Sequence, residues 1–529
     1  MDIRKVSDLE VIQNSKYDCF ESALVSVFQF WGLEYQYIFM DEWNFKYHPY
    51  NLKLAGIENK HLNITSEHRW DLLEVCHGVK LTNVAIDTDI DYQEKNMRCR
   101  EELRKGHPVL ATINLYWCPW FVELYQRYSR LHSVIVVDLD DDYVYLKDSQ
   151  MAQDGVKMSH EDFRKCVLSY GVLETNLPKR KIDWKKEINN TVNRFIDNDL
   201  FANIIKFAED IKIEEFISAE IEQFDGAIYT APLLESIACL SRKHKHFGET
   251  LEYIGKEYEN EQLESISLRM IKMGELWSSV FGMICKAYCI TNDKREKIMN
   301  RVSDKIKDIA KKEEEFAFDL KSIINGGEVS LGENENGYEI KKQISESSFL
   351  TIDIENKLNT NGLSNIISYD SKAEFTSEKR YLYVEDVPDL IFDGIPFKMN
   401  AIDDENNDNI SCFGESIEVE LNYYYGVYFL CCADLESHRE YVEIVYEDGI
   451  IQTEEFNVTT WINPPAFHET IAFHCYVVIR DDETRTACTY PFKGNIFKQY
   501  VKLDERKKIN RIKLPVCPNI HIFAMTMER

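Results

Sequence analysis

Residues 131–150, LHSVIVVDLDDDYVYLKDSQ, read as two apolar strands on either side of an acidic turn. Val134 to Val137 and Tyr143 to Leu146 are the β-branched and aromatic side chains that a pleated surface accepts, whereas Asp140, Asp141 and Asp142 break the run. The pattern predicts an antiparallel hairpin. With its turn centred on Asp140, His132 and Asp148 lie directly opposite each other, at a Cβ separation of roughly 4.5–5.5 Å. A carboxylate at that spacing accepts a hydrogen bond from an imidazole and fixes its tautomer, as a base and its orienting residue require.

Such a base calls for a nucleophile. In VIQNSKYDCFESAL, residues 11–24, Cys19 stands where a polar turn gives way to an apolar helical pattern. Asp18 with Glu21 three residues later forms a capping box, and Gly32 stops the apolar run, so a helix is predicted from Cys19 to about Trp31. The dipole at that end favours a thiolate. Taken alone, Cys19 reads as a buried thiol at a helix start; with His132 and Asp148 it reads as a catalytic nucleophile. Gln13, on the loop leading into the helix, carries an amide that together with the Cys19 backbone N–H is a candidate oxyanion hole.

Around this core the chain divides into three. Residues 1–178 place helices near 70–76 and 94–105 before the strands PVLATINLYW, LHSVIVVDL and YVYLKDS, an α+β pattern. Residues 184–324 carry apolar residues at helical spacing with almost no Pro or Gly, which predicts an all-α region. The turn-rich stretch NGGEVSLGENENG at 325–337 is the linker candidate. From 340 to 529, short strand-forming runs alternate with turn signals and predict a β-sandwich. The fold class is therefore multidomain α+β.

The 529 residues include 62 basic and 91 acidic ones, a net charge of −29, which argues against general nucleic-acid or anionic-membrane binding. The basic stretch KRKIDWKK at 179–186 reads as solvated surface or as a docking site. No signal-like segment opens the chain and no run reaches the roughly 20 apolar residues of a membrane span, so a soluble cytoplasmic protein is expected. There its 14 cysteines stay reduced, and no Cys/His spacing predicts a metal.

Gln13, Asp18-Cys19, the helix ending at Gly32, GHPVLATINLYW, LHSVIVVD and YVYLKD together resemble the papain-like cysteine peptidase superfamily, particularly the leader-peptide-processing branch of bacterial peptide exporters. INLYWCPW followed by a histidine-led strand is similar to the N-terminal domain of the butirosin-biosynthesis acyltransferase family, over about residues 8–170 with a helical second part. The resemblance implies Cys19 as nucleophile, His132 as general base, Asp148 as its orienting residue and Gln13 as oxyanion donor. Tyr116, Trp117 and Trp120 are read as lining an acyl-binding cleft or as core aromatics. The implied reaction moves an acyl or peptidyl group from a carrier-protein thioester to an amine in nonribosomal-type natural-product biosynthesis. Its partners are an acyl or peptidyl carrier protein, presenting the substrate on phosphopantetheine, and an amine acceptor; no bound cofactor is expected. A soluble papain-like peptidase trimming a peptide, and a catalytically silent binding scaffold, are the alternatives. At the C-terminus, NTNGLSN, IPFKM, GVYFLCCAD, VEIVYEDG and NIHIFAMTM resemble a non-catalytic β-sandwich of bacterial glycoside-processing proteins.

Overall fold

The computed structural model describes residues 5–12, 16–49, 61–65, 67–86, 89–121, 124–149, 152–213, 221, 231–290, 293–327, 349–376, 380–385, 390–482 and 484–529. Helix α1 (Cys19–Trp31) begins at the predicted capping box: the Asp18 carboxylate accepts the Glu21 backbone N–H at 2.8 Å, and the Glu21 carboxylate accepts that of Asp18 at 2.9 Å. It ends where Gly32 turns left-handed at φ 65°, a conformation that costs glycine nothing. Helix α2 (Trp70–Leu72) continues as a single π turn, Leu73–His77, so the helix expected at 70–76 is short and irregular.

An antiparallel sheet follows, formed by β1 (Lys80–Ala85), β2 (Val109–Asn114), β3 (Leu131–Leu139), β4 (Tyr143–Asp148), β5 (Ala152–Ser159) and β6 (Val167–Glu174) in the order β1-β6-β2-β3-β4-β5. On one face Ile135 and Val137 pack with Leu24, Val25 and Phe28 of α1. On the other, Val134 and Val136 pack with Tyr92 and Cys99 of α3 (Asp89–Arg104) and Phe163 of α4 (His160–Cys166). The strand alternates between these two cores, as its period of two requires.

The hairpin register differs from expectation. Ile135 faces Lys147 and Val136 faces Leu146, but Asp138 faces Tyr145, with Val137 bulged out between them. Extending that register places Asp148 opposite Val134 and diagonal to His132, not opposite it. The reason is the turn: Leu139 faces Val144, so it centres between Asp141 and Asp142 and not on Asp140, and the bulge at Val137 then brings Asp148 back by one residue onto the diagonal of His132.

Helices α5 (Trp184–Asp197), α6 (Leu200–Asp210), α7 (Pro232–Glu257), α8 (Glu261–Tyr288) and α9 (Asp293–Ile324) form the middle region. α7 and α8 pack closely because glycines line their contact: a Cβ on Gly274 would lie 2.6 Å from the Ser241 carbonyl oxygen. Trp43 inserts into this bundle, stacking on Phe195 at 4.1 Å and donating its indole N–H to Glu313 at 3.0 Å. Segment 36–47 thus stitches the first region to the second through Tyr37, Trp43, Phe45 and Tyr47.

The C-terminal region is a β-sandwich. Strands β7 (Phe349–Ile352), β8 (Leu363–Ser364) and β9 (Tyr381–Tyr383) join one sheet, and β10 (Ile391–Phe392) with β11 (Ile395–Pro396) form a small hairpin. The larger sheet runs β12-β20-β14-β18-β17-β9-β8, adding β12 (Ile410–Phe413), β14 (Gly426–Ala433), β17 (Thr470–Asp481), β18 (Thr486–Lys502) and β20 (Val516–Glu528), with β7 also beside β20. The smaller sheet runs β13-β19-β15-β16 and comprises β13 (Ser416–Tyr423), β15 (His438–Tyr446), β16 (Ile451–Val458) and β19 (Lys508–Lys513). Phe429 and Met525 meet Val442, Ile444 and Ile512 between the sheets, and this core is continuous with Trp277 and Met283 of α8. The linker stretch lies outside the described residues from 328 onward. Among the described residues no helix is long and apolar enough to cross a membrane.

Candidate active site

Cys19 is the first residue of α1 and is half-buried. Its backbone N–H is among the first-turn amides that have no acceptor within the helix. His132, the second residue of β3, is 3% exposed, and its Nε2 lies 2.9 Å from Oδ2 of the fully buried Asp148 at the end of β4. The diagonal placement still allows contact, since side chains at i and j±2 reach each other across a strand pair.

The imidazole has a second hydrogen-bonding neighbour, the Cys19 side chain. Burial opposes a charge on His132, but Asp148 and then Cys19 favour it more strongly, and the imidazole is pushed up to about 10. With Nε2 engaged by the carboxylate, Nδ1 is the remaining ring nitrogen. His132 therefore carries its proton at neutral pH and stands between a carboxylate and a thiol.

The aromatics separate into two roles. Trp120 donates its indole N–H to Oδ2 of Asp148 at 3.2 Å, the same oxygen that faces His132, and Phe121 meets the His132 ring edge-on at 4.9 Å. Tyr116 and Trp117 instead pair edge-to-face at 5.0 Å on the turn after β2, with Trp117 exposed. That turn is held by Asn114, whose side-chain oxygen accepts the Tyr116 N–H at 3.0 Å. Trp120, read from the sequence as a cleft or a core aromatic, is bound to the carboxylate. Gln13 lies outside the described residues.

The site is tied to both other regions. Arg130 pairs with Glu235 of α7 at 2.9 Å, and Arg127 lies 3.5 Å from Asp481 at the end of β17. Behind Cys19, the run RKHKH at 242–246 brings α7 against the first region. Lys243 Nζ is 2.5 Å from Glu42, His246 Nε2 is 2.6 Å from the Lys16 carbonyl oxygen, and Glu249 accepts from the Tyr17 hydroxyl at 2.8 Å. Two histidines, His246 and His68, help hold the Glu21 carboxyl down to about 2 against its burial, which preserves the charge that caps α1. A stretch of five basic or imidazole side chains on an otherwise amphipathic helix was the available sequence signal for this contact.

No curated protein matches the chain. The family comparison finds a likeness in the C-terminal region only and does not extend to Cys19, His132 or Asp148. It bears out a β-sandwich there, under a description other than that of the glycoside-processing proteins: residues 357–529 match the model of the AziU2-like beta-sandwich domain.

Proposed function

We propose that this protein is a cysteine-dependent acyltransferase whose first region has a papain-like fold. The observation that carries the reading is the position of His132, hydrogen-bonded through Nε2 to Asp148 and neighbour to Cys19 at a helix N-terminus. Cys19 thiolate attacks a thioester carbonyl, its C–S bond forms as the donor's breaks, and His132 gives its proton to the departing thiolate. An amine then attacks the acyl-enzyme; the C–N bond forms, the bond to Cys19 breaks, and the amine's proton passes to His132. The Cys19 backbone N–H, together with Gln13 by resemblance, stabilises the oxyanion in both steps.

Acyl transfer is preferred to peptide trimming on the resemblance of INLYWCPW and the histidine-led strand after it to the acyltransferase family. The resemblance supplies the donor, a thioester on the phosphopantetheine of a carrier protein. Intact-mass measurement after incubation with acyl thioesters tests the reading. An acyl adduct that vanishes in Cys19→Ala is expected; absence of any adduct across a varied thioester panel overturns it, and cleavage of a peptide panel instead assigns the peptidase reading.

A further inference from the structure

In KRKIDWKK, residues 179–186, five of eight side chains are cations, in a chain whose net charge is −29. Lys179, Arg180, Lys181, Lys185 and Lys186 are all exposed. Among the described residues none of the five has a carboxylate within 4 Å or a side-chain hydrogen bond. Lys181 and Lys185 lie instead over the rings of Tyr258 and Trp184, 5.2 and 5.5 Å from the centroids. Asp183, the carboxylate inside the stretch, caps α5 by accepting the Lys186 backbone N–H at 3.2 Å, and Glu187 just beyond it turns to Arg69 at 3.1 Å. Exposed cations elsewhere are matched: Arg98, Lys165 and Lys256 each pair with a glutamate four residues earlier. In the other basic run, 506–513, Arg506, Lys508 and Lys513 pair with Asp504, Glu447 and Glu443.

The segment is held in place. The Arg180 backbone N–H donates to the Val75 carbonyl at 2.7 Å and that of Leu177 to the Gly78 carbonyl at 3.1 Å, while Trp184 is buried in the helical core. The turn that holds Arg180, Leu73–His77, continues directly from α2 (Trp70–Leu72). At the start of α2 the exposed Trp70 ring meets Phe20 edge-on at 6.1 Å, and Phe20 follows Cys19 in α1. One short helical support thus carries both the basic segment and the neighbour of the thiol. Lys185 and Lys186 stand in the first turn of α5, where the helix dipole disfavours cations. Their placement costs the helix stability, and an anion docked across them offsets that cost.

We propose that residues 179–186 are the docking surface for an acidic protein partner, the carrier protein that delivers the acyl group to Cys19. This rests on the acyl-transfer reading of Cys19. Five unmatched cations fix the sign of the partner's charge. Size fixes its kind. Eight residues span at most roughly 29 Å, comparable with the breadth of the patch of about 800 Å² that one partner contributes to a standard protein interface. A nucleic acid outruns such a patch and meets the surface of a chain with 91 acidic residues, well within reach of a Debye length of about 8 Å. A compact acidic face engages the cations without that repulsion.

The probe is an acidic acyl carrier protein of fatty-acid synthesis in its phosphopantetheinylated form, labelled and titrated by fluorescence anisotropy with the full chain carrying Cys19→Ala, so that binding is read without chemistry. Combined Lys179→Glu, Arg180→Glu and Lys181→Glu is expected to weaken binding at least about tenfold. Affinity of the unreversed patch is expected to fall as salt rises from about 50 to 300 mM, and that of the reversed one to stay flat. Lys185→Gln with Lys186→Gln, which removes charge while relieving the dipole of α5, is expected to weaken binding about threefold without lowering the thermal unfolding midpoint, which separates lost docking from lost fold. In the chain retaining Cys19, charge reversal slows adduct formation from the acylated carrier but leaves that from the N-acetylcysteamine thioester of the same acyl group within about twofold. No binding of the carrier, equal affinity before and after reversal, or equal loss from both donors overturns the proposal. So does a single-stranded oligonucleotide that binds the patch more tightly than the carrier, which assigns a polyanion instead. Failure of the unsubstituted chain to form an adduct from either donor strikes the reading of Cys19, while the anisotropy arm still reads the docking surface.

Discussion

Two cysteine–histidine contacts among the described residues have opposite electrostatics. At the first, His132 stands between Cys19 and Asp148 and is pushed up to about 10. At the second, on the seam between α8 and the sandwich, Cys517 Sγ lies 3.3 Å from Nδ1 of His438, which also meets the Ser279 hydroxyl at 2.9 Å. There burial, helped by the Lys305 ammonium, presses the imidazole down to about 4, and burial pushes the Cys517 thiol well up. The residue pair is the same. What differs is a carboxylate on the far ring nitrogen and access for a substrate: His438 is sealed, with Gly282 of α8 so close that a Cβ there would sit 3.1 Å from its ring. A thiol beside an imidazole is an inert core contact until something favours the charged pair.

The comparison is broken most directly by removing each thiol. Cys19→Ala is expected to abolish acyl adducts, whereas Cys517→Ala leaves adduct formation within about twofold and lowers unfolding free energy by roughly 1 kcal/mol, read by mass spectrometry and denaturant titration. Next in size is Asp148→Asn, which keeps the shape but removes the charge that holds His132 protonated; a fall of about 10³-fold or more in the acylation rate is expected from triad precedents. If the rate is unchanged, Asp148 is a structural carboxylate and the contrast with His438 disappears.

The two histidines also give opposite pH dependences. His132, raised in the folded state, contributes stability that is complete below its unfolded value of roughly 6.5 and is lost as pH rises through about 10. Acyl transfer is expected to fall over the same alkaline range as the imidazolium proton is lost. His438, depressed in the folded state, contributes stability present above roughly 6.5 and lost as pH falls toward about 4, on the order of 3 kcal/mol. Urea midpoints measured across pH in Cys517-region and Cys19-region variants separate the two; a His438→Gln protein that keeps its full acid sensitivity removes the second assignment.

Smaller effects sharpen the picture. Trp120→Phe deletes the indole donor to Asp148 while keeping most of the ring, and a rate loss of about tenfold is expected with little change in stability. Gly282→Ala gains helix propensity but forces a methyl group against His438, so a net destabilisation of about 1 kcal/mol, with unchanged adduct formation, is expected in thermal unfolding.

Much of the first region was legible along the chain because its signals are local. The capping box at Asp18 and Glu21, the stop at Gly32 and the hairpin around residues 138–142 each depend on residues within a few positions. The register of that hairpin was not legible. Val137 looks like any other strand valine, and three consecutive aspartates do not say where the turn centres; the turn and the bulge together set Asp148 on a diagonal to His132. Trp120 was visible as an aromatic near His132, but its attachment to Asp148 depends on how the loop folds back.

The sequence by itself determined which residues can carry charge, cap a helix or form a strand: Cys19 at a helix start, His132 and Asp148 on neighbouring strands, a helical middle and a β-sandwich. Tertiary structure alone decided that α7 packs against residues 16–21, that Trp120 donates to Asp148, and that the second cysteine–histidine pair is sealed. The reason is physical. Capping and strand formation are set by neighbours in sequence, whereas the charge state of a side chain is set by burial and by every group within a few ångströms, whatever its place in the chain.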